Sequence, residues 1–174
     1  MIVLNDVCKQ YTKDSIGLNS VNLYIRPGEF VSVVGQSGTG KTTLVKLLIA
    51  EEKLTSGLIK IGGWDITKIT NNDIPFLRRQ IGVIFQDFKL LFKKTVAENV
   101  AFALQVAGET HHRIHEVVPR VLDIVGLNGK MDRYPNQLSG GEQQRVAIAR
   151  SLVHRPKILV AEDRKSTRLN SSHT

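Results

Sequence analysis

The chain has 174 residues, of which 41% are apolar and 23% charged, and its net charge is +8. That is one domain's worth of ordinary globular sequence, with no apolar run long enough for a membrane-spanning helix and no basic-then-apolar secretory pattern in MIVLNDVCKQY. The single cysteine, Cys8, rules out an internal disulfide framework, fits a cytosolic location and is expected to be a small buried hydrophobe.

The basic balance suits nucleic acid, an anionic membrane face or polyphosphate. Residues 163–174 carry three basic side chains (Arg164, Lys165, Arg168) and one acidic (Asp163), so the rest of the chain stands at +6. Arg78, Arg79, Lys89, Lys93, Lys94 and Arg113 form no tract, which favours a solvated, mildly basic surface.

In chain order, VNLYIRPGEF (21–30) alternates Val21, Leu23 and Ile25 and then turns at Pro27-Gly28, as a half-exposed strand and hairpin would. EFVSVVG (29–35) is a short β-branched run ending at glycine and predicts a buried strand. KTTLVKLLIA (41–50) carries Leu44, Leu47 and Leu48 without a breaker and predicts a helix. GLIKIGGWDI (57–66) predicts an edge strand and turn, NNDIPFLRRQ (71–80) a helix start, and IGVIFQ (81–86) another short buried strand. TVAENVAFALQVAG (95–108) and RIHEVVPRVLDIVGL (113–127) are helical by period, and Pro119 is expected to kink or split the second. LSGGEQQRVAIARSLVHR (138–155) predicts a helix burying Val146, Ile148, Ala149 and Leu152, and ILVA (158–161) a buried strand. Strands alternating with helices predict an α/β sheet, with residues 87–137 as a helical insertion.

Two motifs carry chemistry. GQSGTGKT (35–42) fits G-x-x-x-x-G-K-[ST] between a predicted strand and a predicted helix. Glycines let the loop wrap until backbone N–H groups converge on phosphate oxygens, and the helix N-terminus adds its positive end. Lys41 would reach the β- and γ-phosphates and Thr42 would ligate Mg²⁺. The alternative is a glycine-rich turn, but at average residue frequencies a chance match arises in roughly 1% of chains this long. The second motif is LSGGEQQRVAIAR (138–150). Ser139 with Glu142 reads as a capping box. That does not explain Gly140 and Gly141 in the first turn, which weaken a helix by about 1 kcal/mol each relative to alanine. Bare backbone there makes sense if a phosphate must approach.

LSGGEQQRVAIAR resembles the signature motif of ABC-type ATPases, and GQSGTGKTT (35–43) resembles their Walker A. The resemblance covers residues 1 to about 161. It implies an α/β P-loop fold with an antiparallel β edge and a helical subdomain, incomplete at the C-terminus. The implied layout is a nucleotide-binding core over 1–86, the helical subdomain over 87–137, and the signature helix with the Walker B strand over 138–162. ATP and Mg²⁺ would be the cofactors. Gly35, Gln36, Ser37, Gly38, Thr39, Gly40, Lys41, Thr42 and Thr43 would hold the nucleotide, and Tyr11 would stack on adenine. A strand aromatic is the plainer reading of Tyr11. Gln86 matches the Q-loop glutamine, which touches Mg²⁺ and the attacking water. Ser139, Gly140 and Gly141 would cover the γ-phosphate bound to a second subunit. The implied assembly is a homodimer on the inner face of the cell membrane, cytoplasmic and peripheral, joined to an integral membrane permease near Asp87 to Thr95. IPFLRRQIGVIFQDFKLL and TVAENVAFAL resemble the branch of the family that serves cell division. ATPases of lipoprotein-release or macrolide-type exporters share every motif. A DNA-associated ABC ATPase is a rival of another class, but no coiled-coil or zinc insertion appears, so no nucleic acid is expected.

The ending departs from the family. A Walker B aspartate and then a catalytic glutamate should follow ILVA; Glu162, Asp163 and Arg164 follow instead. On one reading Glu162 holds Mg²⁺ and Asp163 polarises the attacking water. Asp is one methylene shorter than Glu, so that water would sit roughly 1 Å out of place, at a cost on the order of 10²-fold. The preferred reading is that residues 163–174 are not native, because DRKSTRLNSSH resembles the translation of a common sequencing-library adapter, with Glu162 the stump of an aspartate codon. An intact frame through Thr174 in the source DNA would refute it. The D-loop and switch histidine would then lie beyond this chain, His154 precedes the strand and cannot replace the latter, and the chain is expected to bind nucleotide poorly and not turn it over, or to be a fragment without function.

Other candidates are weaker. His111, His112 and His115 lie close together, but a zinc site needs about four ligands, and a solvated helix start explains them better. Phe76, Phe85, Phe88, Phe92 and Phe102 could stack bases, but core positions or a groove for the partner's coupling helix suit them better.

Overall fold

The computed structural model describes residues 1–162, which divide into two compact units, residues 1–78 and residues 79–162.

The first unit is built on β1 (Ile2–Thr12) and β2 (Ser15–Ile25), an antiparallel pair with Ile2 opposite Ile25 and Leu4 opposite Leu23. β3 (Ser56–Ile61) pairs antiparallel with the other edge of β1, and β4 (Trp64–Asp65) completes the order β2-β1-β3-β4. Alternation puts Ile2, Leu4, Ile59 and Ile61 on the buried face. β1 is irregular after Leu4, where Asp6 takes φ 46°, its N–H donating to Asn22 Oδ1 at 2.9 Å. Helix α1 (Lys41–Leu48) buries Thr43, Leu47 and Leu48. Its C-terminal carbonyls are met by Arg78 of α2 (Ile74–Arg79), whose Nε donates to Ile49 O at 2.9 Å and Nη2 to Ala50 O at 3.3 Å.

Two expectations fail in this unit. Residues 29–35 form no strand; Phe30 is 95% exposed and Val34 86%. The run has the composition of a buried strand, but a strand exists only through a ladder partner, and no backbone hydrogen bond to residues 30–34 is found among the described residues. Cys8 is half-buried rather than sealed in the core, and its Sγ accepts from Ser20 N–H at 3.2 Å. That hydrogen bond holds the thiol below its ordinary pKa.

In the second unit β5 (Ile81–Ile84) lies parallel to β6 (Ile158–Ala161), Ile81 opposite Ile158. The long crossover between them supplies α3 (Val96–Val106), α4 (His111–Ile124) and α5 (Gly140–Leu152). Val96, Val100 and Leu104 of α3, Ile114, Val118 and Leu122 of α4, and Val146 and Ala149 of α5 share one core. Thr95 and Glu98 form a capping box on α3, and Thr110 caps α4.

Pro119 does not split α4, which runs through it from His111 to Ile124. An interior proline costs about 3 kcal/mol. Ile114, Val117, Val118 and Leu122 are all buried, and at roughly 2 kcal/mol per buried aliphatic side chain their packing outweighs that cost. β6 is not the buried strand expected: alternate residues face outward and Leu159 is 52% exposed, since among the described residues only β5 pairs with it. No helix of the described residues is long and apolar enough to cross a membrane.

Candidate functional site

The G-x-x-x-x-G-K-T loop ends where α1 begins. Gly40 is the N-cap, at φ 88°, and no side chain caps the helix. No acidic residue stands in the first turn, so its N–H groups and the helix dipole present positive character. Only glycine fits at position 40: a Cβ there would lie 2.1 Å from Gly17 O. The loop thus enters α1 pressed against β2. Lys41 folds back over the loop, its Nζ donating to Gly35 O at 2.7 Å, Gln36 O at 2.6 Å and Thr39 Oγ1 at 3.3 Å. Thr39 Oγ1 donates to Gln36 O at 2.9 Å. Ser37 and Gly38 lie exposed at the loop's tip, and Thr42 is exposed at the start of α1.

Thr43 faces inward, and its Oγ1 lies 3.2 Å from the hydroxyl of Tyr11 on β1. Tyr11 is 43% exposed, and Lys9 Nζ stands 4.8 Å from its ring centre. The tyrosine is therefore partly exposed beside the helix that starts at Lys41, with the Lys9 ammonium over its ring.

In the second unit Gln86 is exposed in the turn after β5. Ser139 caps α5 in the predicted capping box: its backbone N–H and Oγ donate to Glu142 Oε2 at 2.8 and 2.9 Å. Lys130 donates to the other oxygen, Glu142 Oε1. The Lys130 hydrogen bond first, and those from Ser139 next, pull the Glu142 carboxyl down to about 2. A Cβ on Gly140 would meet nothing within 4 Å, and one on Gly141 only the Arg145 guanidinium at 4.0 Å, so neither glycine is packed against a neighbouring element. Glu162 follows β6 and its N–H donates to Ile84 O at 3.0 Å. Asp163, expected at the catalytic position, and the tail to Thr174 lie outside the described residues.

Thr42 offers a hydroxyl, Gln86 an amide and Glu162 a carboxylate, each an oxygen donor of the hard kind that suits Mg²⁺. His111, His112 and His115 are exposed, and among the described residues no cluster of three or more His, Cys, Asp or Glu could hold a metal. Phe76, Phe92 and Phe102 are 52%, 63% and 40% exposed, so these three are not core residues.

Three further residues belong to none of the motifs singled out in the sequence. Asn99 is fully buried and binds the loop before α3, accepting from Leu91 N–H at 2.8 Å and donating to Leu91 O, Lys94 O and Thr95 O. Lys130 completes the Glu142 cluster from a 3₁₀ turn, Asn128–Lys130. Arg150 reaches out of α5 to carbonyls 61 and 62 residues away. Asn99 four residues after a capping Thr95 was the one local hint, since that spacing returns a side chain to the helix start.

Known proteins similar to this chain share one family. The chain is 52% identical over 163 residues to the cell division ATP-binding protein FtsE of Bacillus subtilis, covering 94% of this chain and 72% of that protein. To FtsE of Streptococcus pneumoniae it is 47% identical, covering 94% and 71%. The dimeric ATP-binding cassette MJ0796, solved in a post-hydrolysis state bound to ADP and Pi, matches with a TM-score of 0.83 at 34% identity, over 92% of this chain and 73% of that one. Residues 18–163 match the ABC transporter family, and the chain belongs to that family, with the fold of an ABC ATPase.

Proposed function

We propose that this chain is the nucleotide-binding part of an FtsE-like ATPase that couples ATP turnover to an integral membrane partner of the FtsX type during cell division. The observation that carries it is the loop 35–42 entering an uncapped α1, with Lys41 turned into its centre. The names of its relatives, 46% to 52% identical over 94% of the chain, support the cell-division setting.

Backbone N–H groups of Gly38 to Thr42 hold the phosphates, Lys41 exchanges its loop carbonyls for β- and γ-phosphate oxygens, and the Tyr11 ring receives the adenine. Thr42, Gln86 and Glu162 would hold Mg²⁺, which neutralises charge on the phosphates. Ser139, Gly140 and Gly141 close over the nucleotide of a second subunit, where the N-terminal end of α5 opposes the charge that grows on the γ-phosphate. Gln86 orients the water. The solved dimer of MJ0796 supports the two-subunit arrangement. The subunit sits on the cytoplasmic face of the membrane and meets its partner through residues 87–95.

The chain itself binds nucleotide weakly and does not turn it over, because the run that should anchor the loop, 30–34, has no ladder partner among the described residues. Titration with a fluorescent ATP analogue tests both statements. Saturable binding with Kd near 1 mM, about −4 kcal/mol, weakened at least tenfold by Lys41→Ala, is expected. No saturable binding overturns the nucleotide reading, and Mg²⁺-dependent hydrolysis by this chain overturns its inactivity.

A further inference from the structure

Arg150 lies near the end of α5, and its guanidinium reaches to the turn after Gln86. Nη2 donates to Phe88 O at 2.6 Å and Nη1 to Lys89 O at 2.7 Å. Burial alone lowers its pKa from the ordinary arginine value; no carboxylate contributes to that shift. A half-buried arginine whose two hydrogen bonds both go to backbone carbonyls is an unusual use of a cation.

The carbonyls it meets belong to an unusual backbone. Phe88 and Lys89 both have positive φ, 57° and 47°, and neither is glycine. Lys89 N–H donates to Asp87 O at 2.7 Å, which closes a three-residue turn about Phe88. Side chains this large occupy the left-handed region only where the surroundings force them to. The forked N–H groups of arginine fit two adjacent carbonyls, and a point charge does not.

We propose that Arg150 is a positioning residue: it locks the Phe88–Lys89 turn to the helix that begins at Ser139, so that α5 and the segment after Gln86 move as one piece. Its consequence for coupling rests on the roles proposed above for Gln86 and residues 87–95, while the clamp does not depend on them. Helix α5 would carry a displacement at its Ser139 end straight to the surface offered to the partner.

Amide hydrogen exchange on the full chain, without nucleotide, tests the clamp. Arg150→Met should speed exchange of the amides from Phe88 to Leu91 about tenfold, with α3 unchanged. In a Lys89→Gly background the same change should have about a threefold effect or less, because glycine takes positive φ without being held. Arg150→Lys, with charge but no fork, should recover only part of the protection. Equal effects in both backgrounds, full recovery by lysine, acceleration spread equally over α3, or no protection of this turn in the unsubstituted chain would each overturn the proposal. Failure of ATP binding would leave the clamp standing and remove only its consequence.

Discussion

The Ser139 backbone N–H and hydroxyl donate to one oxygen of Glu142, and Lys130 donates to the other. The carboxyl is drawn from 4.5 down to about 2. The folded pKa is thus the lower one, so the cluster's contribution is complete above 4.5 and is lost as pH falls from there toward 2. The ordered start of α5 should be indifferent to pH from neutral to 4.5 and fray below it, as read by carbon-13 titration of the Glu142 carboxyl and amide exchange at Glu142. Titration of Glu142 near 4.5 would contradict this reading. Lys130→Met, which removes the main cause, should raise the midpoint.

Gly38 and Gly40 share a backbone conformation, φ 84° and 88°, but differ in their surroundings. A Cβ on Gly38 meets nothing within 4 Å; one on Gly40 meets Gly17 O at 2.1 Å and Leu18 Cδ2 at 2.8 Å. Gly38→Ala should cost the left-handed penalty alone, about 1 kcal/mol. Gly40→Ala should cost about 3 kcal/mol or more, because β2 must also give way. Urea unfolding of the two variants measures the difference, and equal costs would mean that the loop does not rest on β2.

What was legible in the sequence is what depends on near neighbours. The start of α1 is written in Gly40 and Lys41, and the capping box of α5 in Ser139 and Glu142, three residues apart. Alternation in β2 needs nothing beyond itself. The run 29–35 looked equally clear, yet its conformation depends on a partner strand, which no local pattern encodes. At Pro119 the split is absent for the opposite reason: a local penalty is overridden by core contacts of α4. Arg150 was invisible because its partners lie 61 and 62 residues away.

Asn99 offers a test of the loop that leads to α3. Its side chain is fully buried and makes four hydrogen bonds, two of them with both polar groups of Leu91. Asn99→Ala leaves Leu91 N–H and Lys94 O without their partner, while Leu91 O and Thr95 O keep backbone donors, and should cost about 2 kcal/mol in urea unfolding. Asn99→Asp should cost at least as much, since a carboxylate would face the carbonyls of Leu91, Lys94 and Thr95. A neutral Asn99→Ala would show that water reaches these groups.

The exposed apolar run before the phosphate loop predicts how the chain behaves in solution. Phe30, Val31, Val33 and Val34 are 95%, 42%, 51% and 86% exposed, with backbone groups that make no ladder among the described residues. An unpaired β-branched segment is a template for pairing with another copy. Light scattering of the purified chain should therefore rise steeply with concentration. Val34→Lys should suppress that rise and leave the urea midpoint within about 0.5 kcal/mol, as a surface change does. By contrast Leu4→Ala, at a position 1% exposed, should lower stability by about 3 kcal/mol without curing the association. If Val34→Lys instead destabilised the fold as Leu4→Ala does, residue 34 would belong to a packed strand.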